Sequence, residues 1–319
     1  MIKFANGKSI SSIVISTALG VSGSGMFPYT WLPGYRGLLK TIKKKEITVF
    51  AKSSTRNSLI GNFILQKPST WKYIQRIPEG GMLNAYGLTN DGIEVNARKI
   101  ATACKKGFRV IPNIYPQFAK GLDIAIAETL ESMAIFERCI GSYFWAIEIN
   151  YSCPNSKEQI AQNMSIVLTC SSAVKERYPH IILIAKTSVV HPFEFYPQLK
   201  DVGVNVIHAI NTIPHDLVFP GKTSPLQGVG GGGVSGGPAF DLAYSYNKKV
   251  RMAVPDMPLI MECGVTNTER TLKYFKIDAD AVGICTTVLR NSSEAQGIIE
   301  SGLAPAKSTV NEEEGEHHD

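Results

Sequence analysis

Residues 144–155 read Phe-Trp-Ala-Ile-Glu-Ile-Asn-Tyr-Ser-Cys-Pro-Asn, an apolar, β-branched run that ends abruptly in amide, hydroxyl and thiol groups. The pattern recurs on both sides of it. Ile13–Thr17 ends in Ala18 with Gly20, Ile47–Ala51 in Lys52 and Ser53, and Val110–Ile111 in Asn113. Further on, Ile181–Ala185 ends in Lys186, and Val204–Ile210 in Asn211 and Thr212. Leu259–Met261 runs on to Cys263-Gly264, and Ala281–Ile284 to Cys285-Thr286. Short runs that are apolar throughout suit strands buried on both faces, as in a parallel sheet. The stretches between them are long enough for helices, and Ala125–Cys139 and Ile166–Glu176 carry helical periodicity. Eight such units predict a (β/α)8 TIM barrel with parallel central strands. No glycine- or proline-rich linker divides the chain, so one domain is expected over 1–305, followed by an acidic, disordered tail at 306–319.

Composition narrows the function classes. Of 319 residues, 44% are apolar and 19% charged, and glycine and proline are ordinary at 28 and 17, which excludes collagen-like and low-complexity chains. Every apolar run is too short to cross a bilayer, and the opening MIKFANGKSISSIVIST has neither a leader's nor an anchor's apolar stretch, so no membrane partner is expected. The net charge is +6, and the acidic close NEEEGEHHD means that the body is more basic still. Yet only Lys43–Lys45 cluster, with no interleaved aromatics; they read as a solvated helix end, and no nucleic-acid partner is expected. Six cysteines, at 104, 139, 153, 170, 263 and 285, show no paired spacing and no nearby histidines. That argues against a metal site or a disulfide framework and for a reducing, cytoplasmic setting.

Side chains at the carboxyl ends of barrel strands converge on one mouth, where barrel enzymes keep their chemistry. Two lysines, several asparagines and glycine-flanked turns would then share a pocket. Within Asn150-Tyr151-Ser152-Cys153-Pro154-Asn155, the proline biases Cys153 towards an extended conformation that projects its thiol. Asn150 and Asn155 flank that thiol, and Asn84 and Asn211 would add two further amides. Uncharged groups that both donate and accept suit the edges of a small polar ring. A thiol near a lysine can serve as a base or a nucleophile. No histidine accompanies it in any motif, which favours proton abstraction over acyl transfer. His208, inside the sixth run, reads as a hydrogen-bonded core residue.

At these residues the chain resembles the class 1 dihydroorotate dehydrogenases, FMN enzymes of pyrimidine synthesis. NYSCPN (150–155) is similar to the family's Asn-x-Ser-Cys-Pro-Asn signature, and GGMLNAYGLTNDG (80–92) to its Gly-Met-Leu-Asn-Ala stretch. ALGVSGSG (18–25), AKSST (51–55), IPNI (111–114), IAKTS (184–188), AINT (209–212) and GGVSG (232–236) resemble other family segments, in the family's order. The resemblance implies that Cys153 takes the C5 proton of dihydroorotate while hydride leaves C6 for the flavin. It assigns Asn84, Asn150, Asn155, Asn211 and Thr212 to the substrate, with Lys52 between substrate and flavin. Lys186 would lie at the flavin's N1–C2 edge. Ala18, Gly20, Ser53, Asn113 and Asn150 would line the flavin, and Gly236 would approach its ribityl chain. Cys263, Gly264, Cys285 and Thr286 would lie at its phosphate. Class 2, membrane-associated relatives carry serine where this chain has Cys153, which points to the soluble class. The resemblance further implies a homodimer. The loops look more like enzymes that pass electrons to a separate iron–sulfur flavoprotein and on to NAD than like those that reduce fumarate.

Four departures mark a divergent member. The family's Gly-Gly and Gly-Thr phosphate turns read Cys263-Gly264 and Cys285-Thr286, each adding a side chain where backbone should come close. The segment after the first lysine is reduced to TRNSLIGN (55–62), and GGVSGGPA (232–239) holds an extra glycine. Two alternatives to dihydroorotate oxidation remain at this level: a flavin enzyme for another dihydropyrimidine, and a barrel that has lost FMN and its catalysis.

Overall fold

A computed structural model describes residues 1–152 and 163–305 of the chain. Its centre is a parallel sheet of nine short strands. In chain order they are β1 (Ile13–Ser16), β2 (Thr48–Phe50), β3 (Arg109–Ile111), β4 (Asn113–Ile114), β5 (Ala146–Asn150), β6 (Ile182–Lys186), β7 (Val206–Ala209), β8 (Leu259–Met261) and β9 (Ala281–Ile284). Each pairs with its sequence neighbour, and β9 returns to β1 through Val282↔Ile13. The one break in the ladder falls between β3 and β4, at Pro112, which has no N–H to donate. Its carbonyl still accepts from Glu148 N–H at 3.0 Å, so the two fragments occupy one barrel position. The eight-unit barrel expected from the sequence is the architecture observed.

The two-residue alternation of the strands divides the core in two. Ile15, Val49, Ile147, Leu183, Ile207 and Met261 face outward against the surrounding helices. Those helices include α1 (Pro33–Lys44), α2 (Ile93–Lys105), α3 (Leu122–Ile140), α4 (Met164–Arg177), α5 (Phe240–Ala253) and α6 (Thr268–Phe275). Val14, Phe50, Ala146, Ile184, Val206 and Ile260 fill the barrel interior, closed at its amino end by Ile2 and Ile10 of a small antiparallel hairpin. Full burial of each such aliphatic or aromatic side chain contributes about 1.5–3 kcal/mol. One turn further up, the same inward positions turn polar: Ser16, Glu148, Asn150, Lys186 and His208, all buried. The helical patterns at 125–139 and 166–176 lie within α3 and α4.

A second, antiparallel sheet covers the carboxyl end of the barrel. Its strands are Ile74–Ile77, Gly81–Asn84, Gly233–Ser235 and Ile213–Pro214. The glycine-rich stretch at 228–237 is therefore partly a strand, hydrogen-bonded to 81–84 and 213–214. Gly233 is required in it, because a Cβ there would overlap the Thr212 side chain.

Candidate active site

The barrel's carboxyl end and the antiparallel sheet border a cavity of about 200 Å³, open at one side. Thr17 and Ala18 reach it from the end of β1, Lys52 and Ser53 from β2, Asn150 from β5 and Lys186 from β6. Asn211 and Thr212 follow β7, Glu262, Cys263 and Gly264 follow β8, and Cys285 and Thr286 follow β9. Asn84, Ser235 and Gly236 face it from the covering sheet, while Met26, Ile74, Met82, Ile210 and Leu289 give it apolar walls. Residues spread over most of the sequence thus converge on one pocket. Two expected residues do not line it. Gly20 sits behind the first loop, where its carbonyl accepts the Lys52 N–H at 3.0 Å. Asn113 is turned into the barrel interior, where its amide donates to Glu148 Oε2 at 2.8 Å. An ionised carboxylate is the stronger acceptor, and that holds Asn113 beneath the cavity instead of on its wall. Cys153 and Asn155 lie outside the described residues.

The amides that do line the pocket are partly occupied in holding its loops. Asn150 Nδ2 donates to Ser53 Oγ at 3.0 Å, and its Oδ1 accepts from the Ser152 N–H and hydroxyl at 3.0 and 3.1 Å. Asn211 Nδ2 donates to the Ser152 carbonyl at 2.7 Å, and its Oδ1 accepts the Thr212 N–H at 2.9 Å. The turn that leads to Cys153 is therefore pinned from both sides by pocket residues. Lys52 Nζ stands 3.8 Å from the centre of the Tyr86 ring, a cation–π contact that fixes the ammonium at the cavity wall.

Both cysteines that replace glycines face the cavity without closing it. Cys263 adopts φ +81°, a left-handed conformation that a glycine takes without strain. Next to it Gly264 is also left-handed, at φ +82°, and a Cβ there would overlap Phe240 Cα. Cys285 Sγ lies 3.4 Å from Thr17 Oγ1. Burial, reinforced by Glu262, pushes the Cys285 thiol up to about 11 and drives Cys263 higher still, so both stay protonated at neutral pH.

The sequence reading missed three charged groups. Arg270 reaches from α6 to the Gly264 carbonyl at 3.1 Å, the Gly237 carbonyl at 3.3 Å and Thr266 Oγ1 at 3.1 Å, with its guanidinium over the Phe240 ring. It ties together two turns from different strands. Glu148 and Glu262 lie in the barrel interior, with Lys186 Nζ 2.8 Å from Glu262 Oε2 and 2.6 Å from Ser16 Oγ. Burial works against the Lys186 charge, but Glu262 and Glu148 outweigh it and hold its pKa above the usual lysine value. Burial likewise opposes ionisation of Glu262, yet Lys186 and His208 keep its carboxyl well below the usual range. The signal for both glutamates was their inward parity, two residues before Asn150 and two after Ile260.

A family model described as dihydroorotate dehydrogenase matches residues 38–305. The chain belongs to the dihydroorotate dehydrogenase family. Its members are oxidoreductases, and this chain is an enzyme of that kind. Among its relatives, a dihydroorotate dehydrogenase B (NAD(+)) catalytic subunit of Oceanobacillus iheyensis is 25% identical over 245 residues, covering 73% of this chain and 77% of that one. A protein of the same name from Streptococcus pneumoniae is 28% identical over 230 residues, covering 69% and 70%. The fold matches a crystal structure of the Eimeria tenella dihydroorotate dehydrogenase in complex with ferulenol with a TM-score of 0.69, over 93% of this chain and 82% of that one, at 15% identity. Among the described residues, no helix is long and apolar enough to cross a membrane.

Proposed function

We propose that the chain oxidises (S)-dihydroorotate to orotate with FMN as the electron acceptor, in pyrimidine biosynthesis. The observation that carries this reading is the convergence of Lys52, Lys186, Asn84, Asn150, Asn211 and Thr212 on one cavity with apolar walls. These residues fit a flavin mononucleotide. Met26, Met82, Ile210 and Leu289 offer surface for a flat ring system, and Lys186 offers a positive charge from the barrel floor. The turns at Gly236, Gly264 and Thr286 bring backbone to the cavity for a ribityl phosphate, and the two added cysteines leave the space open. When bound, the flavin supplies a two-electron oxidant.

The chain supplies position and proton transfer. Asn84, Asn211 and Thr212 give the substrate ring and its carboxylate neutral partners, and Lys52 adds a cation beside them. Ser152, held by Asn150 and Asn211, immediately precedes Cys153 in the sequence, and Asn155 follows two residues later. Cys153 takes the C5 proton as the C6 hydrogen departs with its electron pair. Two bonds to hydrogen break and the C5–C6 double bond forms; the electron pair that leaves with the C6 hydrogen is what the two-electron oxidant, when bound, would take up. Orientation in a pocket of fixed donors accounts for most of the acceleration. The relatives' printed names support NAD as the final acceptor through a second subunit, and on this reading the chain is a catalytic subunit of a soluble, cytoplasmic assembly.

Steady-state assays with dihydroorotate and dihydrouracil, using an artificial dye, test the substrate. Turnover of dihydroorotate alone is expected, and turnover of dihydrouracil alone would move the assignment to another dihydropyrimidine. Cys153→Ala is expected to lose at least about 100-fold in rate at neutral pH, the usual scale for a general base. An undiminished rate in that variant would remove Cys153 from its role.

A further inference from the structure

Directly below the cavity floor, four charged side chains form one continuous buried chain. Lys186 Nζ meets Glu262 Oε2 at 2.8 Å, and that oxygen lies 2.9 Å from His208 Nε2, off the line of a straight hydrogen bond. His208 Nδ1 meets Glu148 Oε1 at 3.0 Å, and Glu148 Oε2 accepts from Asn113 Nδ2 at 2.8 Å. Phe50 tilts against the imidazole at 4.9 Å between ring centres. Lys186 and Glu262 border the cavity, while His208 and Glu148 are fully buried below it.

Each ring nitrogen of the histidine faces a carboxylate, which favours its charged form against the opposing effects of burial and Lys186. A neutral imidazole that donates Nδ1–H to Glu148 turns its Nε2 lone pair on the Glu262 carboxylate. An imidazolium presents an N–H there instead, so the chain holds two cations against two anions. The thiols of Cys263 and Cys285 nearby are neutral and leave that balance unchanged. In a closed interior, one uncompensated charge is felt strongly several ångströms away. A ring system that gains electrons is stabilised by positive potential beneath it and destabilised by negative potential.

We propose that Glu262, His208 and Glu148 are positioning residues that hold the floor of the cavity electrically neutral around Lys186, and through it set the reduction potential of the flavin. The inference rests on the flavin reading above. Its signature is one of sign. Glu262→Gln and Glu148→Gln each leave one excess cation and raise the potential, while His208→Gln leaves one excess anion and lowers it. The double variant Glu262→Gln/His208→Gln restores neutrality and returns the potential towards the native value.

The test is anaerobic equilibration of each FMN-loaded variant with a reference dye, with thermal melts run alongside. Each single variant is expected to change the reduced-to-oxidised ratio at fixed potential by about tenfold, equivalent to about 30 mV for a two-electron couple. Each single variant that folds decides the matter by its own sign, so failure of one to fold leaves the others. Unmoved potentials, or potentials that all shift the same way, would overturn the inference while leaving the flavin reading intact. A native protein that binds no FMN would instead overturn the reading itself.

Discussion

Cys285 and His191 show how burial, above other effects, sets the chemistry of single residues here. With its pKa pushed up to about 11, Cys285 is a thiol at neutral pH. Iodoacetamide at pH 7.5 is expected to leave Cys285 unmodified in the folded protein, and peptide mass analysis checks this; rapid alkylation would show a thiolate there. His191, stacked on Phe195 with Ser188 N–H donating to its Nδ1 at 3.0 Å, is pulled from 6.5 to about 4 by burial. Its folded pKa lies below its unfolded value, so the unfolded chain takes up the proton first as pH falls. Stability present above about pH 6.5 is lost progressively down to about pH 4, by about 3 kcal/mol in all. Denaturant titrations of the native protein and His191→Gln between those pH values should show a shallower acid slope in the variant. At this scale the sequence was legible for strand-end residues such as Lys52, Lys186 and Asn211. It was silent on Arg270 and gave only parity for Glu148 and Glu262, because their importance lies in partners brought up from distant strands.

Among the elements, the turns after β8 and before α5 depend on one another through Arg270. Its bonds to the Gly264 and Gly237 carbonyls hold both turns at the cavity, and neither is near the other in sequence. Arg270→Met keeps much of the packing on Phe240 but removes the donors. FMN retention measured by equilibrium dialysis is expected to weaken about tenfold, since two hydrogen bonds to buried carbonyls are lost. Unchanged FMN affinity would show that the turns hold their shape without it. The parallel strands were readable because each is a short apolar run with a polar end. The antiparallel cover was not, because its strands are two to four residues long and one, Gly-Val-Ser, is mostly glycine and serine, a composition that also suits a loop. Gly80, left-handed at φ +69°, ends the turn between two of those strands, and Gly81 opens the second.

For the molecule as a whole, local stability should follow the same division. The barrel strands are buried on both faces, whereas 74–77 of the cover is only partly buried. Native-state hydrogen exchange is expected to find the amides of β5 and β6 among the slowest and those of 74–77 faster by at least about tenfold; equal protection would show that cover and barrel open together. That arrangement places the chemistry between a rigid floor of fixed charges and a looser roof. The barrel was legible from the repetition of one strand pattern, while the charged interior was hidden because the sequence shows which residues alternate but not which meet across the barrel. The central claim is that this cavity holds a flavin that dihydroorotate reduces. Purified, FMN-loaded protein titrated anaerobically with dihydroorotate tests it most directly. The account predicts bleaching of the oxidised flavin absorbance with one orotate formed per flavin; a bound flavin that stays oxidised with excess dihydroorotate, and no orotate, would contradict it.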